Sequence, residues 1–284
     1  IPNYAYGSLE LSGAGTYNAL AAITNPSPLT ISNAGAVLDM ADYNLVITGL
    51  NNSGTVSMGS GTLTLTTPSA IGGFKFTSGR VVPTYNYTSL ELSEASGAYS
   101  VGNATMGTLN ISGDGILTAN SGITVTTLQG NGIIQTSNNG SAIVLPTGAN
   151  VTFTADATNL PSNTYSTLIL QLGGTAQGGI TTNTALTITS GTLNMQNNNL
   201  IATGLDNSGV VSMGSGTLAL TTPTSVGSFK FTSARTVPNY AYSALELSGS
   251  GTYSASNNIT NPNPLTISNA SGVLDMANYN LIVT

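Results

Sequence analysis

The segment GSGTLTLT, from Gly59 to Thr66, alternates leucine with threonine directly after a glycine corner, and it returns as GSGTLALT from Gly214 to Thr221. Successive side chains of a β-strand point to opposite faces, so the two leucines share one face and the threonines share the other. The single difference between the copies, Thr64 against Ala219, falls on the threonine face. The pattern predicts a short strand that buries its leucines and exposes its threonines.

This segment belongs to a repeat that runs through the whole chain of 284 residues. The stretches Gly49–Ser78 and Gly204–Ser233 differ at only seven of thirty positions. A phrase that begins PNYAY in its first copy occurs four times, at intervals of 81, 78 and 77 residues, and its copies start at Pro2, Pro83, Pro161 and Pro238. Self-similarity at a fixed period is typical of solenoids. We predict a single continuous solenoid over residues 1–284, with repeats of about 80 residues that start near 1, 82, 160 and 237, the last one partial.

The two ends of the sequence fall within the repeat. Residues 1–48 align without a gap on residues 237–284. Solenoids usually carry atypical capping repeats with a polar outer face, and neither end resembles one. We therefore expect a window on a longer array, or ends that neighbouring subunits cover.

A shorter period inside each repeat predicts the fold class. Pairs of apolar residues recur about every 20 residues in two columns, which places four rungs in each repeat. The first column is Leu9, Leu29, Leu45 and Leu63, restarting at Leu90, and the second is Tyr17, Val37–Met40, Val56 and Phe74. We predict an all-β parallel β-helix (β-solenoid) of about 14 coils, roughly 20 residues per coil, with essentially no α-helix, because no segment has a 3.6-residue apolar period. An array of immunoglobulin-type β-sandwiches is the alternative, since a unit of short strands and this length could be one such domain.

Glycine and asparagine mark the corners between these strands. The corner sequences NNSG, GSG, DNSG and NNG predict sharp turns in which these residues adopt positive φ. Asparagines in NNSG, NNNL and NYNL are expected to hydrogen-bond up the stack. Prolines occur only in the wider bends.

Composition excludes several classes of function. There are no cysteines, histidines or tryptophans, which removes disulfides, thiolate or imidazole metal ligands and histidine-based proton transfer. Four Lys and Arg in a chain of net charge -6 cannot neutralise a phosphate backbone, so we expect no nucleic-acid partner. No uninterrupted apolar run of about twenty residues could span a bilayer as a helix. The sequence predicts no cofactor.

Several segments resemble large bacterial surface proteins. They are SGTVSMGSGTLTLTT, LTISNAGAVLDMADYNLVITGL and LTITSGTLNMQNNNLIATGL. The likeness is to the parallel β-helices of filamentous-haemagglutinin-like adhesins and autotransporter passenger domains. It implies a secreted or surface-displayed fibre, stalk or adhesin, and it carries over no catalytic residue.

Parallel β-helices also include polysaccharide-degrading enzymes, so the acidic residues need an interpretation. Glu10, Glu91 and Glu246 occupy one repeat position, in LEL, and Asp39 and Asp275 occupy another, in LDM. Glycoside hydrolysis needs two carboxyl groups about 5 to 9.5 Å apart. Glu10 and Asp39 could approach each other in adjacent coils, and a weak Ca²⁺ site is a further alternative. Solvated or ion-paired carboxylates are the favoured interpretation, so we predict no enzyme.

The basic and aromatic residues form the candidate assembly or ligand surface: Lys75, Arg80, Lys230, Arg235, Tyr4, Tyr6, Tyr85, Tyr87, Tyr240 and Tyr242. Lys75 and Lys230 are expected to pair with Glu91 and Glu246 on the following coil, and contact between chains is the alternative. The tyrosines either plug the long bend or, stacked at one corner of successive repeats, bind sugars or a neighbouring filament. The third repeat keeps only Tyr165 of these aromatics.

Asn-x-Ser/Thr triplets, the acceptor pattern for N-linked glycans, begin at Asn51, Asn86, Asn103, Asn110, Asn150, Asn258 and Asn269.

These patterns favour a structural protein: a secreted or cell-surface β-solenoid that associates with itself, end to end and possibly laterally, as a fibre. The alternatives are a glycan-binding adhesin passenger or stalk and, less favoured, a polysaccharide-degrading enzyme.

Overall fold

The computed structural model of the chain describes every residue except 3, 5, 25–27, 67–70, 95, 114, 131, 137–142, 222–225, 261–262 and 284. The described residues form β-strands joined by turns and bends, without a helix. The strands stack in parallel as a β-solenoid of about 14 turns that lie about 18 residues apart. The predicted fold class is confirmed, with turns slightly shorter than expected.

The chain divides into two compact units, Ile1–Gln135 with Ala142–Pro146 and Thr136–Ser141 with Thr147–Thr284. In order along the chain, the first strands are β1 (Leu9–Leu11), β2 (Gly15–Asn18), β3 (Ile23–Thr24), β4 (Leu29–Ile31), β5 (Ala36–Asp39), β6 (Leu45–Ile47), β7 (Leu50–Asn52), β8 (Thr55–Met58), β9 (Leu63–Leu65), β10 (Gly73–Phe76), β11 (Val81–Val82), β12 (Asn86–Leu92), β13 (Ala98–Val101), β14 (Ala104–Ile111), β15 (Ile116–Ala119), β16 (Ile123–Gly130), β17 (Ile133–Thr136) and β18 (Ile143–Val144).

The strands that follow lie in the second unit: β19 (Ala149–Phe153), β20 (Ala157–Leu160), β21 (Asn163–Leu170), β22 (Gly173–Ala176), β23 (Ile180–Ile188), β24 (Thr192–Asn194), β25 (Leu200–Ala202), β26 (Leu205–Asn207), β27 (Val210–Met213), β28 (Leu218–Leu220), β29 (Gly227–Phe231), β30 (Thr236–Val237), β31 (Tyr242–Leu247), β32 (Gly251–Ala255), β33 (Ile259–Thr260), β34 (Leu265–Ile267), β35 (Gly272–Asp275) and β36 (Leu281–Ile282).

A coil at the start of the first unit has three faces. Strands β1, β2 and β3 pair with β4, β5 and β6, which pair in turn with β7, β8 and β9. The face that contains β2 continues through β10, β12, β14 and β16 to β18, and β11, β13, β15 and β17 form a further sheet. In the second unit the sheets are β19–β21–β23–β25–β28 with β26 beside β23, β20–β22–β24–β27–β29–β31–β34, β30–β32–β35 and β33–β36.

The core is a set of apolar columns that run up the stacked faces. Leu63 and Leu65 of β9 are buried, whereas Thr62, Thr64 and Thr66 are exposed, as the alternation predicted. Complete burial of one such leucine contributes roughly 1.5–3 kcal/mol. Because each rung lies on the rung below it, a coil depends on its neighbours for most of this burial.

One of the two predicted columns is wrong. Leu9 and Leu29 belong to the β1–β4–β7 face, while Leu45 and Leu63 belong to the β3–β6–β9 face. Leu29 and Leu45 are separated by two corners of the same coil. Their spacing in the sequence is close to the length of a full coil, so the sequence pattern places them in one column. The second column, Tyr17 to Leu38 to Val56 to Phe74, is confirmed by the register of β2, β5, β8 and β10. Leu90 continues this second column instead of restarting the first.

The sequence repeat therefore advances by four coils and one further face. In the first unit, Leu9 lies on the β1 face, but its counterpart Leu90 lies on the face of β2, β5, β8 and β10. In the second unit, Leu168 lies in β21 and its counterpart Leu245 in β31, again in different sheets. Four rungs per repeat were expected, but each repeat is longer than four coils by one face. Equivalent side chains of consecutive repeats therefore lie on different faces.

Glycine has a different role in the tight corners from the one predicted. The glycines of NNSG and DNSG and of the GSG corners at 59–61 and 214–216 do not have positive φ, whereas Gly251, in the GSG at 249–251, has a φ of 101°. The NNG corner at 138–140 lies outside the described residues. A Cβ at Gly61 instead meets the carbonyl oxygen of Tyr43 at 2.1 Å, and a Cβ at Gly216 meets that of Asn198 at 2.0 Å. These corners need glycine because the coil below approaches closely. The residue that does adopt positive φ in the neighbouring bend is Ala41, with Gln196 and Ala277 at the equivalent positions.

Candidate functional surface

The basic and aromatic residues singled out in the sequence meet where one repeat ends and the next begins. Strand β10, which carries Lys75, pairs with β12, which carries Tyr87 and Glu91. The same arrangement recurs in the second unit, where β29 pairs with β31. We name these sites the junction clusters: Lys75, Arg80, Tyr85, Tyr87 and Glu91 in the first unit, and Lys230, Arg235, Tyr240, Tyr242 and Glu246 in the second.

Each junction cluster contains one ion pair. Lys75 Nζ lies 2.9 Å from Glu91 Oε1, and Lys230 Nζ lies 3.0 Å from Glu246 Oε1, which confirms the predicted pairing. About a third of each side chain is exposed, so one pair contributes only about 0–1 kcal/mol. The Ser268 hydroxyl, which donates to Glu246 at 2.8 Å, and then Lys230 lower the pKa of that carboxyl.

The two arginines are half-buried and held by contacts within the chain. The guanidinium carbon of Arg80 lies 4.7 Å from the centroid of the Phe76 ring, and Nη1 donates to the carbonyl of Gly59 at 2.7 Å. Arg235 lies 4.6 Å from the Phe231 ring and donates to Gly214 at 3.0 Å. Burial lowers the pKa of both guanidinium groups, although arginine stays charged at any physiological pH. These contacts connect the GSG corner to the junction cluster.

A tyrosine closes each long bend by a hydrogen bond to the proline four residues earlier. The donor and acceptor pairs are Tyr6 with Pro2 (2.8 Å), Tyr87 with Pro83 (2.7 Å), Tyr165 with Pro161 (2.8 Å) and Tyr242 with Pro238 (2.8 Å). Burial raises the pKa of Tyr87, Tyr165 and Tyr242. The geometry matches the plug interpretation of the tyrosines.

The remaining tyrosines of the set differ in exposure. The hydroxyls of Tyr85 and Tyr240 accept hydrogen bonds from the backbone N–H groups of Leu65 and Leu220, both at 3.1 Å. Tyr4 is 66% exposed and packs edge-on against Tyr6. Because consecutive repeats start on different faces, the tyrosine corners within a unit do not form the single stack that sequence analysis considered.

Glu10 and Asp39, the two carboxylates considered as a pair, lie on different faces. Glu10 lies on β1, where its carboxylate accepts a hydrogen bond from the Ser32 hydroxyl at 3.0 Å. Asp39 lies on β5, which is on a different face, and accepts from the backbone N–H of Ala41. Within the described part of the chain, no three carboxylates lie close enough together to hold a metal ion.

Asn52 of NNSG hydrogen-bonds up the stack, as the sequence predicted. The Asn52 amide donates to the carbonyls of Ile71 and Gly73, at 3.2 and 2.9 Å, and Asn207 repeats these bonds in the second unit. The prediction also holds for NNNL, where the side-chain oxygen of Asn199 accepts from the backbone N–H of Thr217 at 2.8 Å, and Asn44 in the equivalent DYNL accepts from that of Thr62 at 2.8 Å. Tyr99 and Tyr253, which were not predicted, donate to the carbonyls of Phe76 and Phe231, and the only available signal was their repetition in the sequence.

Two shallow depressions lie on the outer faces. One, of about 210 Å³, surrounds the Lys230–Glu246 pair and includes Ser228 and Thr266. The other, of about 300 Å³, is lined by Asn86, Asn103, Ala104, Thr105, Gly122 and Thr124.

No protein-family model, curated protein or solved structure matches the chain. Among the described residues, no helix has the length and apolar character needed to cross a membrane.

Proposed function

We propose that the chain is a structural component of an extracellular or cell-surface fibre, in which stacked solenoid coils form a repetitive scaffold that associates end to end or continues in a longer array. The supporting observation is that the side chains of the junction clusters contact other residues of the same chain. Lys75 and Lys230 are paired within the chain, the arginines are packed on phenylalanine rings, and Tyr87 and Tyr242 are buried. These side chains therefore connect consecutive repeats. The resemblance to the β-helices of bacterial surface proteins also supports a fibre.

Two coils of nearly identical sequence differ in how far their apolar side chains are buried. Leu29, Ile31 and Leu45 are at most 1% exposed, because the coil β7–β9 covers them. Ile267 and Leu281 are the counterparts of Ile31 and Leu45 in the last repeat. They are 44% and 40% exposed. In the proposed fibre a further coil packs on these side chains, as β7–β9 packs on β4–β6.

Electron microscopy of the purified chain over a concentration series tests this proposal. We expect filaments that lengthen with concentration. Ile267→Asp places a charge on the exposed rung and is expected to abolish them. Val273→Asp is the matched control, because Val273 is 54% exposed, close to the 44% of Ile267, but points outward from β35.

Particles that stay single at every concentration would contradict end-to-end association, as would filaments of Ile267→Asp equal to those of the unmodified chain. Release of reducing ends from a polysaccharide, lost on substitution of Glu10 and Asp39, would favour the enzyme instead.

The second candidate is an adhesin stalk that binds glycans. The open depression beside Lys230 and Glu246 favours it, because ionic and hydroxyl groups there face outward together. Single particles that retain glycans on an array, and lose them on Lys230→Met, would support this alternative over the fibre.

A further inference from the structure

We propose that Asn103 is the N-glycan acceptor of this chain, and that the first sugar rests on the polar depression beside it. The proposal rests on the proposed export of the chain, since N-linked glycans are added on the export route. Eight acceptor triplets are present in the sequence. The one that begins at Asn139 lies outside the described residues, and the fold separates the other seven.

Four of the triplets begin inside strands. Asn51 lies in β7, Asn86 in β12, Asn110 in β14 and Asn150 in β19. Side chains on a strand stand beside the neighbours of the strands above and below, whereas acceptor asparagines characteristically lie in surface loops. This criterion leaves Asn103, Asn258 and Asn269.

Side-chain bonding separates the three loop positions. The Asn258 carbonyl oxygen accepts from the backbone N–H of Asn280 at 2.9 Å, and that of Asn269 accepts from Ser271 at 2.9 Å. Asn103 is exposed in the bend between β13 and β14, and its amide makes no hydrogen bond to the described residues. The hydroxyl residue of its triplet, Thr105, is exposed as well.

The surroundings of Asn103 suit a sugar. The depression of about 300 Å³ that it borders is open and lined by the polar side chains of Asn86, Thr105 and Thr124. Amides and hydroxyls donate and accept the hydrogen bonds that a sugar ring requires. A neutral glycan also adds hydration to a surface on which only 5% of residues are charged.

The transfer step uses a polyprenyl-pyrophosphate-linked oligosaccharide as the donor. The Asn103 amide nitrogen attacks the anomeric carbon, and a C–N bond forms as the bond from that carbon to the pyrophosphate oxygen breaks. The pyrophosphate leaves with the electron pair, and one amide proton passes to the transferase.

The test is secretion of the full chain from glycosylating eukaryotic cells behind a cleavable signal, with glycopeptide mass spectrometry before and after enzymatic deglycosylation. We expect a glycan at Asn103. Asn103→Gln and Thr105→Val both remove it, the latter while keeping the asparagine, and Thr105→Ser retains it. Asn258→Gln is the matched control and leaves the Asn103 glycan in place.

A secreted chain that is bare at Asn103 overturns the proposal, and so does occupancy of Asn110 or Asn150 with Asn103 unmodified. The supplied signal makes this test independent of where the chain is normally found. A chain that carries the glycan but forms no filaments therefore rejects the fibre and keeps the acceptor site.

Discussion

Phe74 of β10 pairs in register with Leu90 of β12, and Phe229 pairs with Leu245 in the same way. All four side chains are 1% exposed. The Phe74 ring also meets the ring of Tyr87 edge-on, with centroids 5.8 Å apart, and Phe229 meets Tyr242 at 5.7 Å. The last rung of one repeat thus supports the first rung and the closing tyrosine of the next.

The junction rung is expected to dominate local stability. Phe74→Ala removes a buried ring from a column that cannot collapse without shifting neighbouring coils, so we expect a loss of about 3–5 kcal/mol in unfolding free energy. Urea denaturation followed by circular dichroism measures it. Thr64→Ala is the control, since the other copy already has Ala219 there, and it should change stability by less than about 0.5 kcal/mol. Equal effects of the two substitutions would mean that the columns are not the core.

Thr182 offers a stabilising substitution. Its side chain lies in the core, and Oγ1 has no hydrogen-bond partner among the described residues. A buried hydroxyl without a partner costs about 1–3 kcal/mol, so Thr182→Val should raise the unfolding free energy by an amount of that order. Thr181→Val, on the half-buried outer position beside it, serves as the control. A lower midpoint for Thr182→Val in urea would show that the hydroxyl is bonded.

The GSG corners are expected to tolerate no side chain. A Cβ at Gly61 or Gly216 collides with a carbonyl of the coil below, so Gly61→Ala and Gly216→Ala should each destabilise the chain by more than about 1 kcal/mol. Gly7 has nothing within 4 Å of an added Cβ, and Gly7→Ala should leave the thermal midpoint nearly unchanged. If all three variants melted alike, the close approach of the coils would be refuted.

Alkaline pH is expected to weaken the fold. Burial raises the pKa of Tyr87, Tyr165 and Tyr242 above the usual value of about 10. Above that pH the phenols of the unfolded chain lose protons that the folded chain retains, so unfolding free energy falls as pH rises, while below it these groups contribute no pH dependence. Urea midpoints measured on both sides of about pH 10 test this. Tyr165→Phe should flatten the decline, and a decline unaffected by that substitution would contradict the assignment.

The sequence predicts the parts of this fold that are local. Alternation in TLTLT places Leu63 and Leu65 inside without reference to any other coil. The ion pairs were predictable because Lys75 and Glu91 lie about one coil apart on outward positions of an LEL and an FKF strand. Both inferences need only the period of a strand and the length of a turn.

The face shift was not predictable in the same way. Whether Leu90 continues the column of Leu9 or that of Phe74 depends on the number of corners per coil, which packing sets. The bond of Tyr99 was not predicted for another reason: its acceptor is a backbone carbonyl, a group that every residue possesses. The reason for glycine at the GSG corners was predicted wrongly. Both a positive φ and a close approach of the neighbouring coil favour glycine, so the sequence does not distinguish them.

The stacking of repeat on repeat with a change of face is tested by zero-length carbodiimide coupling of the unmodified chain. The chain has only two lysines, Lys75 and Lys230, and each Nζ lies within 3.0 Å of a glutamate oxygen. Mass spectrometry of the digested product should find amide bonds from Lys75 to Glu91 and from Lys230 to Glu246. Coupling of either lysine mainly to a different acid, or none at these two pairs, would contradict the assigned register.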